Sequence, residues 1–143
     1  MNLENQINYY TEFTSDKKIL AEIEAILNRI NNHIPLEKGK FHDILVATTE
    51  AVINAIQHGN KFDPNKKVTL NITASKNKIQ VIVQDEGSGF DPSTIEDPRT
   101  PENILKERGR GIFLIRQLSD SVTITTSSKG TIVEMIFIIK KIN

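Results

Sequence analysis

The feature that most constrains this chain is a change of hydrophobic period near Lys67. Before it, apolar residues return every three or four positions. Ile19, Leu20, Ile23, Ile26, Leu27 and Ile30 form one such series, and Phe41, Ile44, Leu45, Ala51, Val52, Ala55 and Ile56 form another. After it they alternate, as Val68, Leu70, Ile72 and Ala74 and then Ile79, Val81 and Val83. The first spacing belongs to amphipathic helices, the second to strands covered on one face. Only Ser75-Lys76-Asn77 separates the two strands, which suits a hairpin and leaves no room for a crossover. A second strand pair, Ser121 to about Ser127 and Thr131 to about Lys140, meets at Ser128-Lys129-Gly130. Helices, hairpin, loop, helix and hairpin in that order predict an α+β two-layer sandwich. Its sheet would be mixed but mostly antiparallel, with the helices on one face.

Local signals refine this outline. Thr14, Ser15 and Asp16 offer capping oxygens to the first helix, and Asn31 to Pro35 end it. The second helix stops near His58-Gly59-Asn60, where glycine suits a helix C-terminus. The last strand carries Val133, Met135 and Phe137 on one face and Ile132, Ile136 and Ile138 on the other, the pattern of a strand buried within a sheet. Residues 91–108 hold Pro92, Pro98 and Pro101 and no periodic apolar face. A loop of that length in a compact domain is functional or disordered.

Composition removes several classes of function. Eighteen basic residues balance eighteen acidic ones, so no global field draws the chain to nucleic acid or an anionic membrane. Cysteine is absent, which excludes disulfides and thiolate chemistry and suits a reducing cytoplasm. The start of the chain is no signal peptide, and no apolar run is long enough to span a bilayer. The expectation is one cytoplasmic domain over 1–143.

Four short constellations could carry chemistry. Glu50 and Asn54 fall one helical turn apart, outside the apolar arc. Alone they read as a solvated polar face. They could also serve a magnesium–phosphate site, with Asn54 offering a neutral oxygen to the cation and Glu50 accepting a proton. Asp85-Glu86-Gly87-Ser88-Gly89-Phe90 follows a strand. It is either a sharp turn or a place where a flat ligand meets bare backbone and a carboxylate accepts from an exocyclic amine. Arg108-Gly109-Arg110-Gly111-Ile112 opens a helix, where free amides and guanidiniums make an anion site. It matches neither the lysine-bearing phosphate loop nor the dinucleotide fingerprint. Lys129-Gly130-Thr131 reads as a hairpin turn. His33 and His42 have no partners at metal-ligand spacing.

Taken in order, Glu50…Asn54…His58-Gly59-Asn60, Asp85-x-Gly87-x-Gly89-Phe90, Gly109-x-Gly111-Ile112 and Gly130-Thr131 resemble the four boxes of the GHKL ATPases. Glu-Ala-Val-x-Asn-Ala-Ile-x-His-Gly over 50–59 is similar to the anti-sigma factor serine kinases, as is Phe13-Thr14-Ser15. The resemblance covers about residues 10–140 and implies the Bergerat ATP-binding fold. It implies Glu50 as general base, Asn54 as magnesium ligand and Asp85 as the reader of the adenine amine, supported by Thr131. Gly87, Gly89 and Phe90 would frame the base, and residues 91–108 would be the ATP lid. Arg108, Arg110 and the amides of Gly109 to Ile112 would hold the phosphates. No histidine-phosphorylation box or transducer domain accompanies the boxes, which favours the free-standing serine-kinase branch. The implied activity is transfer of the ATP γ-phosphoryl to a STAS-type anti-anti-sigma protein, with sequestration of a sigma factor and pairing into a homodimer through the N-terminal strand near Tyr9–Thr14. The alternative is a nucleotide-dependent regulatory switch or binding module without kinase activity.

Overall fold

The computed structural model describes residues 6–89 and 107–140. Strand β1 (Ile7–Thr14) leads into α1 (Ile19–His33) and α2 (Lys38–Ile53), and α2 runs on without a break into a π-helical segment, Asn54–Gly59. Hairpin β2 (Lys67–Ala74) and β3 (Lys78–Gln84) follows, then α3 (Glu107–Leu118) and hairpin β4 (Ser121–Ser127) and β5 (Gly130–Ile138). The strands lie in the order β1-β2-β3-β5-β4, and every neighbouring pair is antiparallel. The parallel component allowed for in a mixed sheet is thus absent among the described residues.

The hairpins form where the turn residues placed them. Ser75 N donates to Lys78 O at 2.9 Å, closing the β2–β3 turn. The helix starts differ from expectation. No side chain caps α1, which starts after Lys18. Asp16 Oδ1 accepts from Lys18 N at 3.0 Å instead, and Ser15 Oγ turns away to donate to Lys66 O at 3.4 Å. Helix α2 begins at Lys38, ahead of Phe41, because Lys38-Gly39-Lys40 carries no apolar stripe to announce a helix.

One row of each strand is buried against the helices. Leu70 and Ile72 of β2, Ile79 and Val81 of β3, and Met135 and Phe137 of β5 share a core with Ile23, Leu27 and Ile30 of α1, Ile44 and Val52 of α2, and Ile115 of α3. Each such side chain contributes about 1.5–3 kcal/mol by leaving water. The helices therefore lie on one face, as the alternating pattern requires. Strand β5 does sit inside the sheet, between β3 and β4. Its second face is not buried, however. Ile132 and Ile136 are half-buried and Ile138 is 47% exposed, since no described element covers that side.

Candidate nucleotide site

Helix α2 positions the first two functional side chains. Where it widens into the π segment, Asn54 is only 7% exposed. The helical wheel predicted a solvated stripe for Asn54. Helix α3 buries it instead: a Cβ added to Gly111 would stand 2.8 Å from Asn54 Nδ2 and 3.2 Å from Glu50 Oε2. Only a residue without a side chain allows that approach. Asn54 Nδ2 has no hydrogen-bond partner in this setting. A buried orphan of this kind costs about 1–3 kcal/mol, and its persistence in a fold points to a ligand.

Strand β3 delivers Asp85, which is 4% exposed. Asp85 N donates to Thr131 O at 2.9 Å, and Asp85 Oδ1 accepts from Thr131 N at 3.1 Å and Gly87 N at 2.9 Å. Two backbone amides thus hold one oxygen of the carboxylate. Glycines surround it. A Cβ at Gly59 would fall 2.2 Å from Asp85 Oδ2, and one at Gly87 would fall 2.1 Å from Gly59 O. Gly130, with φ at +141°, brings its Cα against Asp85 O, and Gly89, with φ at +81°, lies against Ser127 O. The helical segment ends at Gly59, as expected, but without a left-handed φ; the missing side chain there also leaves room for Asp85.

These groups converge on a slot lined by Ala51, Asn54, Ala55, Val83, Asp85, Ile112, Thr131 and Val133. Its walls are apolar, and its polar groups are Asn54, Asp85 and Thr131. Thr131 is 3% exposed and its Oγ1 is unpartnered, a second orphan aimed into the same region. The slot measures about 10 Å³, against roughly 300–1,000 Å³ for ordinary ligand pockets. Ile112 of α3 forms one wall.

Asn54 also lines a second, wider space of about 420 Å³, together with Lys17, Glu50, Ile53, Gln57, His58, Arg110 and Leu114. It thus stands between an apolar slot and a polar mouth. Burial raises the pKa of Glu50, and the charge of Arg110 opposes that rise. The outcome is a half-buried carboxylate with more affinity for a proton than an exposed one, which suits a general base.

Helix α3 begins at Glu107, so Gly109, Arg110, Gly111 and Ile112 lie inside it rather than ahead of it. Amides from a helix's fifth residue onward pair with the preceding turn. Gly109 and Arg110 belong to the first four residues of α3; Gly111 and Ile112 supply close approach and a pocket wall instead. Phe90 and residues 91–106 of the expected lid lie outside the described residues, as does the side chain of Arg108.

The sequence placed Asn60 at the end of the first box but assigned it no role. It is 1% exposed, and its Nδ2 donates to Ser15 Oγ and to Lys67 O, both at 3.0 Å. Its Oδ1 accepts from Glu86 N at 2.8 Å. One side chain therefore ties the corner before α1, the start of β2 and the loop after Asp85 into one unit. An asparagine directly after a helix-ending glycine was the only local signal, and it names none of these partners.

A family model described as the histidine kinase-like ATPase domain matches residues 13–137. The serine-protein kinase RsbW of Bacillus subtilis (strain 168) is 30% identical over 116 residues, 77% of this chain and 72% of that protein. RsbW of Staphylococcus aureus (strain JH9) is 36% identical over 106 residues, 69% of this chain and 66% of that protein. In the second alignment the chain spans just under two thirds of its relative. The crystal structure of the RsbU and RsbW domains of a Mycobacterium tuberculosis protein superposes with a TM-score of 0.64 at 16% identity, over 94% of this chain and 33% of that one, and shows the shared fold. With a family model matched over most of its length and a relative 30% identical over 72% of that protein, this chain belongs to the histidine kinase-like ATPase domain family.

Proposed function

We propose that this chain is an ATP-dependent protein-serine/threonine kinase of the anti-sigma factor type, acting on a STAS-type anti-anti-sigma protein. The observation that carries the reading is the place of Asn54, shared between the slot beneath Asp85 and the mouth that holds Glu50. A nucleotide lying across both puts its base against Asp85 and its phosphates toward Glu50 and Arg110. Asp85 reads the adenine amine, and Thr131 supports it. Gly109, Arg110 and Arg108 hold the phosphates from α3, while Gly87, Gly89 and Phe90 border the base.

The reaction needs positioning and charge neutralisation more than covalent help. The acceptor hydroxyl oxygen attacks the γ-phosphorus, the bond to the β–γ bridging oxygen breaks, and ADP leaves. Glu50 takes the hydroxyl proton. Among the described residues no cluster of three His, Cys, Asp or Glu could hold a metal alone. That suits magnesium, which binds through one or two protein groups and the substrate phosphates. Asn54, which lines the mouth beside Glu50 and carries a neutral amide oxygen, is the residue that fits it. Magnesium would supply charge neutralisation at the phosphates.

The relatives carry the name serine-protein kinase, and this chain is read as keeping their role in full. When not engaged with its STAS-type substrate it sequesters a sigma factor, works in the cytoplasm and pairs as a homodimer. Among the described residues no helix is long and apolar enough to cross a membrane. Incubation with γ-labelled ATP and a purified STAS-type protein tests the reading. Label on a serine or threonine, lost in Glu50→Gln with ATP binding kept, is expected. Binding of ATP with no transfer would leave the switch function in its place.

A further inference from the structure

Phe62 is 49% exposed, and it is held there by a backbone that resists it. Its φ is +59° and that of Lys61 is +51°, a left-handed pair that residues with side chains rarely adopt. Phe62 N donates to Ile56 O at 2.9 Å, which pins the loop to the π segment. The Lys17 ammonium stands 5.6 Å from the centroid of the Phe62 ring. Lys17 in turn lines the cleft that holds Glu50, and Leu114 of α3, 38% exposed, lines it too. Backbone strain that keeps an aromatic ring in water gives the core nothing. Strain of this kind collects at working surfaces.

We infer that Lys17 and Phe62 form the docking lip for the protein acceptor, an inference that rests on the kinase reading above. Glu50 is half-buried, so a hydroxyl on another protein reaches it only through the cleft mouth. The surface around that hydroxyl must then lie against the residues that ring the mouth. Phe62 and Leu114 present apolar area, and an aromatic ring is the usual anchor of a protein interface. Lys17 and Arg110 give the mouth a cationic rim. The matching partner is a folded protein surface that presents a serine or threonine flanked by an apolar side chain and a carboxylate. The apolar group seats on Phe62, and the carboxylate pairs with Lys17. Steering by such a pair acts on acceptor binding.

Two variants test this, Phe62→Asn and Lys17→Glu, with a STAS-type protein as acceptor and γ-labelled ATP as donor. Asparagine tolerates the left-handed backbone, so Phe62→Asn keeps or raises stability while removing the ring. In each variant the acceptor KM is expected to rise about tenfold or more, and in Phe62→Asn kcat at saturating acceptor is held. In Phe62→Asn, whose ring lines neither nucleotide space, ATP affinity and acceptor-free ATP hydrolysis stay at wild-type levels and the urea midpoint does not fall. An unchanged acceptor KM in both variants overturns the inference. A parallel loss of ATP affinity in Phe62→Asn does so too, because the ring would then act through the nucleotide site and not through the acceptor. If the wild type binds the STAS-type protein without transfer, the kinase reading fails alone. The lip is then decided by the affinity of Phe62→Asn for that protein in ADP: weaker binding supports it and equal binding overturns it. A wild type that neither binds nor phosphorylates the protein overturns both.

Discussion

The Cα of Gly59 lies so close to Asp85 that a Cβ there would stand 2.2 Å from Oδ2 and 2.4 Å from Cγ. Helix end and strand end meet at this point, and the carboxylate has nowhere else to go. Its other oxygen already accepts from the amides of Gly87 and Thr131.

Gly59→Ala is therefore expected to push the carboxylate out of line. Overpacking of this sort costs about 1–3 kcal/mol. The backbone of Gly59 is not left-handed, so the whole effect comes from contact with Asp85. ATP affinity should drop about tenfold or more, equivalent to about 1.4 kcal/mol, while the domain stays folded. Calorimetric titration beside a urea melt checks both; wild-type affinity in the alanine variant would separate Asp85 from nucleotide binding.

Asn60 gives the second prediction. Asn60→Ala leaves Glu86 N, Lys67 O and Ser15 Oγ without a partner they now have, at about 1–3 kcal/mol for each buried group left unsatisfied. A loss of about 2–5 kcal/mol in total is expected by the same rule, allowing for partial access to water. Asn60→Asp keeps the acceptor for Glu86 N but loses both donors, so it should not restore stability. Chemical denaturation measures this. A variant within error of wild type would show that the three segments do not depend on this side chain.

The sheet was legible because burial on one face writes a period of two into the chain, and Ser75-Lys76-Asn77 fixes the hairpin between Ala74 and Lys78. The core side of α1 and α2 was legible for the same reason at a different period. What could not be read depends on distance in sequence. The partners of Asn60 lie 45, 7 and 26 residues away, and no local pattern joins Asn60 to Ser15, Lys67 or Glu86. The burial of Asn54 comes from Gly111 on another helix. The π segment, Asn54–Gly59, changes the hydrogen-bond register without any residue that announces it; Gly59 marked where the helix stops but not that its bare backbone makes room for Asp85. Motif order named Glu50, Asn54, Asp85 and Thr131, but only the fold shows that Asn54 borders both spaces. Lys17 and Phe62, outside every motif, became visible only through the cleft and the strained loop.

The third prediction follows from Glu50. Burial raises its pKa above the ordinary 4.5, and Arg110 partly offsets that rise. A base works only when ionised, so the transfer rate should fall as pH drops through the raised value. Arg110→Ala removes the opposing charge and should move that inflection to higher pH, whatever it does to the rate itself. Stability runs the other way. The folded state holds this proton more tightly than the unfolded chain, so the contribution is present below 4.5 and is lost as pH rises through the folded value. At neutral pH the ionised carboxylate is a penalty. Glu50→Gln should therefore melt higher than wild type at neutral pH and converge with it in acid. Thermal melts across pH settle the sign; a lower neutral Tm for the Gln variant would mean that Glu50 has a stabilising partner instead.

The proposed homodimer gives the last prediction. Strand β1 is an edge strand, paired with β2 on one side only. Such an edge offers unpaired amides and carbonyls to a second chain unless charge or covering blocks it. Beside it, a groove of about 250 Å³ runs between β1 and α1, lined by Tyr9, Tyr10, Thr11, Glu22, Ala25, Ile26 and Arg29. The Arg29 guanidinium sits 5.9 Å from the Tyr9 ring centroid, and Tyr10 is 60% exposed on the opposite face of the strand. Aromatic rings with one side in water, on an edge that carries only Glu12 as a charge, suit pairing with an identical strand about a two-fold axis. Sedimentation of the wild type should give twice the 16.1 kDa chain mass. Tyr10→Lys places a second charge on the edge and removes the exposed ring, so it should shift the species toward 16.1 kDa with ATP affinity unchanged, since Tyr10 lines neither nucleotide space. A wild type that sediments at 16.1 kDa at high concentration would sink the dimer. A dimer untouched by Tyr10→Lys would move its interface off β1.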